Sequence, residues 1–382
     1  MPASVVQLLD AYGVKSNQPH ELSEVETYWR DHHDWLKASG YELRPRFRPG
    51  WEPSWKADPR KTSFTSEDAW RLTNGAVIDA VRVSDNTNVV LKRINKDQDH
   101  HPHEVEIGNF LTALGPTSAN HCVPTLDTLH PPDDENISII VMPLLRKYDS
   151  PRFDTVGEAV EFFRQIFEGL QFMHHHHVAH RDCNSNNIMM DGQHLYPQGF
   201  HPERWHQDLK PNAKSNAPYY TRTRFPVKYY FIDFGLSRRY DPARGPPSED
   251  IILGGDKSPP EHAPGNLVCD PFPTDIYFLG NLIRRDFLDG YPEIFRYGNL
   301  GFEFMRPLVD DMVQADPTKR PTIDQVVARF AEIQKGLSSW TLRSRVIGQR
   351  EFVYLPQRII GHWYRRIRSI VMRVPAVPVP SS

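Results

Sequence analysis

Apolar and polar residues alternate along AVIDAVRV (76–83) and NVVLKRI (88–94), with the turn pair Asp85-Asn86 between them, so the pattern predicts a β-hairpin over about 70–94. HEVEIGNFLTAL (103–114) shifts to helical spacing, and the apolar run ISIIVM (137–142) reads as a buried strand before PLLRKYDSP breaks the order. Helices follow. Thr155-x-x-Glu158 is a capping box opening AVEFFRQIFEGLQFM, where Ala159, Phe163, Phe167 and Leu170 share one face, and Thr322-x-x-Gln325 opens VVARFAEI. The pattern predicts a small β-rich half joined to a larger helical half, with a cleft between them.

Ahead of the hairpin, residues 1–65 read as an extension. Ser23-x-x-Glu26 caps a helix bearing Trp29, Trp35 and Leu36, and YELRPRFRPGWEPSW (41–55) reads as a loop. Tryptophans bury large areas, which favours a strap packed on the main domain over a partner-binding arm.

Composition narrows the class. The chain has 382 residues, enough for one large two-lobed unit or two domains, and its 34 prolines point to long irregular connections. A net charge of −3 gives no footprint of a nucleic-acid binder. Cys122, Cys183 and Cys269 lie too far apart for a disulfide framework or a C-x-x-C metal pair, which predicts a reducing compartment. The first residues carry no secretory pattern and no run of about 18 apolar residues occurs, so a soluble, intracellular and cytoplasmic protein is expected.

Polar residues interrupt the helical half at HRDCNSNN (180–187), where an isolated buried carboxylate would cost several kcal/mol. Downstream, Asp233-Phe234-Gly235 follows the apolar stretch YYFI. The seven fixed letters HRD-x4-N and DFG would coincide by chance in about one such chain in 10⁴ to 10⁵. The sequence from about 70 to 335 resembles a eukaryotic-type protein kinase. The resemblance implies an α+β, bilobal protein kinase-like fold with a small β-rich N-lobe (66–145), a larger α-helical C-lobe (146–340) and a basic tail (341–382).

What the resemblance implies for the site follows residue by residue. Lys92 takes the place of the lysine on the ATP phosphates, with Glu104 as its ion-pair partner and Glu106 as the alternative. Asp182 matches the acceptor of the substrate hydroxyl's proton, while Asn187 and Asp233 match the ligands of Mg²⁺. His180 reads as a support of the loop, and Arg181 as the arginine that meets a phosphate on the activation segment. IIVMPLL matches the hinge, where the Pro143 carbonyl and the Leu145 N–H would bond adenine. Met142, Met189 and Val90 would line the nucleotide, with ordinary core filling as the alternative for the methionines. Ser258-Pro-Pro-Glu261 with Arg320, Asp275 and Gly280 match structural positions that argue for a protein substrate over a small molecule. The competing reading is a kinase-fold scaffold that retains nucleotide without turnover.

Three departures qualify the match. Of the glycine-rich loop only Gly75 and Val77 have counterparts, the two earlier glycine places falling near Trp70 and Leu72, which predicts weakened ATP binding. Asn184 replaces the lysine of serine/threonine kinases, predicting slower turnover and leaving serine/threonine against tyrosine open. The stretch between Asn187 and Asp233 is long, polar and proline-rich, predicting a surface insertion over about 191–226.

His174 to His177 do not have zinc spacing; only His174 and His177 could share a helix face. Ser248 is a candidate phosphosite facing Arg181. In PQRIIGHWYRRIRSIVMRV (356–374), Ile359, Trp363, Ile367, Ile370 and Val374 fall near one helical face, with Arg358, Arg365, Arg366 and Arg373 largely off it. Such a helix lies on an acidic membrane or docks onto the helical lobe. PAVPVPSS after it is expected to be disordered.

Overall fold

A computed structural model describes residues 20–96, 103–209, 217–251, 254–351 and 356–380, side chains of 356–359 excepted. The first 19 residues, part of the expected insertion, and the side chains of Arg358 and Ile359 thus lie outside the described residues. The chain divides into two units, one of residues 1–95, 126–144 and 198–218, the other of 96–125, 145–197 and 219–382.

The first unit is built on one antiparallel sheet. Helices α1 (Glu24–Asp31) and α2 (His33–Ala38) lead into strand β1 (Tyr41–Leu43), followed by β2 (Val77–Arg82), β3 (Thr87–Asn95), β4 (Asp127–Leu129) and β5 (Ile137–Pro143), in spatial order β1-β2-β3-β5-β4. The predicted hairpin is β2–β3, and its turn residue Asn86 takes a left-handed φ of 58° that the Asn side chain tolerates. Period-two alternation puts Ile78, Ala80, Val89, Leu91, Ile139 and Val141 on one face, covered by Trp29, Leu36, Tyr41, Leu43 and Phe47. The extension is therefore part of the core of this unit. It also corrects the loop expected at 41–55: Tyr41, Glu42 and Leu43 pair with Arg82, Val81 and Ala80 and add an edge strand.

The second unit is mainly helical. It begins with α3 (Glu104–Ala113) and is organised by α4 (Val156–His175), whose Thr155 cap accepts from the Glu158 amide at 3.3 Å. Strands β6 (Ile188–Met190) and β7 (Tyr229–Phe231) pair antiparallel and bracket the expected insertion, of which the described residues 198–209 and 217–218 fold with the first unit. Helices α5 (Pro271–Ile283), α6 (Ile323–Gly336) and α7 (Pro356–Val371) follow. Stacked and edge-on rings of Phe162, Phe163, Phe167, Phe287, Phe302 and Phe330 fill the interior. No helix among the described residues is long and apolar enough to cross a membrane.

Candidate active site

The β6–β7 ladder brings two of the predicted ligands together. Ile188 pairs with Phe231, so Asn187 and Asp233 emerge at the same end of the hairpin, and the Ile232 amide donates to the Asn187 carbonyl at 3.0 Å. Asp233 itself has a left-handed φ of 64° and accepts from the Gly235 amide at 3.4 Å. Asp182 is tied to Asn187, whose Nδ2 donates to Asp182 Oδ2 at 2.7 Å and to the Asp182 carbonyl at 2.9 Å. With its amide nitrogen committed to Asp182, Asn187 has its side-chain oxygen as the atom to offer a cation.

A buried aspartate holds this loop in shape. Asp275, fully buried near the start of α5, accepts the amides of His180 and Arg181 at 2.8 Å each and faces His174 Nε2 at 3.1 Å. Arg181 sits at φ 67°, a left-handed conformation uncommon for a residue with a side chain, and the two Asp275 oxygens hold the backbone there through its own amide and that of His180. His180 bonds the Ile232 carbonyl through Nε2 at 3.1 Å and packs on Phe231 and Phe234. His174 is thus engaged with Asp275, His175 with Asp324 and His176 with the Phe172 carbonyl, and no metal-binding cluster of His, Cys, Asp or Glu occurs among the described residues.

The Asp182 carboxylate is crowded on its other oxygen. Asn184 Nδ2 donates to Oδ1 at 2.6 Å and the Gly255 amide at 2.9 Å. Burial nevertheless raises its pKa, against the lowering effect of those donors. Gly254 and Gly255 are needed here: a Cβ on the first would strike Asp182 and on the second would come within 2.6 Å of Asn184 Nδ2. This pair was not among the residues singled out from sequence; two adjacent glycines between DFG and the Ser-Pro-Pro-Glu motif were the available signal. Arg181, expected to meet a phosphate, instead donates to the Asp250 carbonyl at 2.6 Å and lies 3.7 Å from Glu249 Oε2. A counter-anion is already built in, which removes the ground for singling out exposed Ser248.

Glu261 and Arg320 form a bidentate pair, 2.6 Å at both contacts, with Thr274 Oγ1 donating to the same carboxylate at 2.7 Å. Burial would raise the Glu261 pKa, but Arg320 and Thr274 hold it below the usual value.

In the first unit Lys92 stands on β3 opposite Val77 and Ile140, and Val90 two residues earlier pairs with Asp79 and Met142. Pro143 ends β5 opposite Val89. In the second unit Leu145 is buried and Met189 pairs with Tyr230 and Lys147. Glu104 is buried at the start of α3, whereas Glu106 faces out toward His103.

The stretch 70–76, in place of a glycine-rich loop, is held by carboxylates of its own unit. The Leu72 amide donates to Glu26 Oε1 at 3.3 Å, and Thr73 donates to Glu203 Oε2 through its amide at 3.0 Å and its hydroxyl at 2.6 Å. Glu26 is in turn clamped by Arg46 at 3.0 and 3.1 Å and completes the capping box with Ser23. The Gly75 carbonyl accepts from Trp29 Nε1 at 3.0 Å, and a Cβ at Gly75 would collide with Val25.

Residues 73–250 match the family model of the protein kinase domain. The chain contains a protein kinase-like domain. Serine/threonine-protein kinase CAK1 of Saccharomyces cerevisiae (strain ATCC 204508 / S288c) is 31% identical over 120 residues, covering 31% of this chain and 23% of that protein. Serine/threonine-protein kinase SMU1 of Mycosarcoma maydis is 25% identical over 169 residues, covering 43% of this chain and 22% of that protein. The chain thus spans under a quarter of the length of these curated relatives. The kinase-like domain has the α+β class expected of it, a β-rich N-terminal part and a helical C-terminal part.

Proposed function

We propose that this protein is an ATP- and Mg²⁺-dependent protein kinase that transfers the γ-phosphoryl group to a serine or threonine hydroxyl, with Asp182 as the proton acceptor. One observation carries the reading: Asp182, Asn187 and Asp233 converge on one end of the β6–β7 ladder, around a loop pinned by Asp275. The names of the two relatives favour serine and threonine. Burial raises the pKa of Asp182 and makes it a better acceptor, while the Asn187 and Asn184 amides orient the carboxylate. The Asn187 side-chain oxygen and the Asp233 carboxylate suit a hard divalent cation, which when bound neutralises phosphate charge. Lys92 would supply a second, fixed positive charge for the phosphates.

A second reading, a nucleotide-binding scaffold with little turnover, is favoured by Glu26 and Glu203. They take the Leu72 and Thr73 amides where the family's loop would meet phosphate. Radiolabelled ATP with Mg²⁺, a mixed peptide library and the Asp182→Asn variant separate the two. Transfer to peptides lowered about 10² to 10⁴-fold in the variant supports the enzyme; equal incorporation by both proteins defeats it.

A further inference from the structure

The C-terminal helix docks with the opposite face from the one an amphipathic pattern leads one to expect. His362 and Arg366 are buried in the second unit, Arg365 makes a bidentate pair with Asp154 at 2.8 and 3.0 Å, and Arg366 donates to the Trp340 carbonyl at 3.0 Å. The guanidinium of Arg366 also lies 3.6 Å over the Trp340 ring. The chain beyond the helix fixes this orientation from the other side. Arg343 donates to the Val374 carbonyl, and the Ala376 carbonyl packs against Gly157 at the start of α4. The segment expected to be disordered therefore packs on the helical unit at Ala376, with Pro378 buried.

The apolar row is left outside. Ile360, Trp363, Tyr364, Ile367, Ile370 and Val371 recur at i, i+3, i+4, i+7, i+10 and i+11, one face of an α-helix, and are between 43% and 75% exposed. Exposed Trp340 extends the row, its ring centroid 6.0 Å from that of Trp363. A contiguous outward apolar face of this kind is not a solvated surface at rest.

We propose that this face of α7 is a docking surface for an anionic lipid bilayer. Charge selects the occupant. From residue 352 to 382 the chain has five arginines and no aspartate or glutamate, although its net charge is −3. Of these, Arg365 is paired with Asp154 and Arg366 is buried, while Arg368 is exposed at the edge of the apolar row and Arg373 is exposed just beyond the end of the helix. Ile360, Ile367 and Val371 at the centre, Trp363 and Tyr364 toward the edges and Arg368 at the flank are the arrangement of a helix lying in a membrane interface. A second copy of the chain is disfavoured, because a two-fold pairing of this face would bring the same arginines toward one another. The inference does not rest on catalysis.

Full-length protein sedimented with vesicles tests it. With vesicles containing about one-third phosphatidylserine in phosphatidylcholine, the protein should pellet at low salt with a blue shift of tryptophan emission. It should return to the supernatant at high salt, as screening shortens from about 10 Å at 0.1 M to about 3 Å at 1 M. Replacing Ile367→Asp and Ile370→Asp together should cut the bound fraction about tenfold with an unchanged circular dichroism spectrum, both residues being exposed. Tyr364→Ser serves as a milder second variant and should give a partial loss. Protein that stays in the supernatant with anionic vesicles overturns the proposal. So does binding unaffected by all three substitutions, or a dimer dissolved by the aspartates in a protein that ignores vesicles.

Discussion

Asp182 accepts three hydrogen bonds on its two carboxylate oxygens, two from side-chain amides and one from the Gly255 backbone amide, yet burial still lifts its pKa above the ordinary aspartate value. As a base it must be ionised, so activity is lost when pH falls through that raised pKa. The acid limb of a kcat/KM profile for peptide phosphorylation should accordingly lie above pH ~4. A limb at or below the free aspartate value would contradict the assignment. Glu261 has the opposite sign. Its folded pKa is depressed, so its pairing with Arg320 stabilises the protein above the unfolded pKa and that stability disappears as pH falls through the lower folded value. Glu261→Ala would leave the fully buried Arg320 head uncompensated, at a cost of about 3–5 kcal/mol that urea unfolding at neutral pH would read. Both the Asp182, Asn187 and Asp233 positions and this pair were legible as letters in the sequence, because the motifs that carry them are short and fixed. The glycine pair over Asp182 was not. Its meaning depends on a contact between positions more than 70 residues apart, and local patterning is silent about such contacts.

At the scale of elements, period and capping identified the hairpin β2–β3 and helices α1, α3, α4 and α6, since each is amphipathic in sequence and three begin with a Ser or Thr cap. Strand β1 escaped because three residues are too short to show alternation and its pairing partner lies some 40 residues away. Glu26 shows the same limit. Its place in a capping box is local and readable, whereas its hold on Arg46 and Leu72 is tertiary. The stretch 70–76 yields a prediction of its own. Glu203→Ala frees the Thr73 amide and hydroxyl and removes a negative charge from beside them. Affinity for a fluorescent ATP analogue with Mg²⁺ should rise about threefold or more. Unchanged or weaker binding would mean that these donors do not meet phosphate. The corresponding change at Glu26 is a poor test, because it would strand the buried Arg46.

On the scale of the whole molecule, what the family match covers and what the fold requires are different stretches of chain. The match begins at residue 73, but Trp29, Leu36, Tyr41, Leu43 and Phe47 cover the inner face of the sheet that carries Lys92. At about 1.5–3 kcal/mol for each large apolar side chain buried, those five are worth on the order of 10 kcal/mol, comparable with the entire stability of a typical domain. A fragment of residues 70–351 should therefore accumulate as insoluble protein, or show no cooperative thermal transition, where residues 20–380 melt in one. Soluble, cooperatively folding 70–351 would show that the N-terminal residues are dispensable.

Strand β1 makes the point sharpest. It is joined to β2 by residues 44–76, yet it occupies the sheet edge that the shorter fragment would lay bare. An unpaired row of backbone donors and acceptors beside an uncovered apolar face is a template for strand addition from another molecule. Trimming at the family boundary would thus turn an internal seam into a seed for aggregation, and any inactivity measured on such a fragment would describe its misassembly rather than its chemistry.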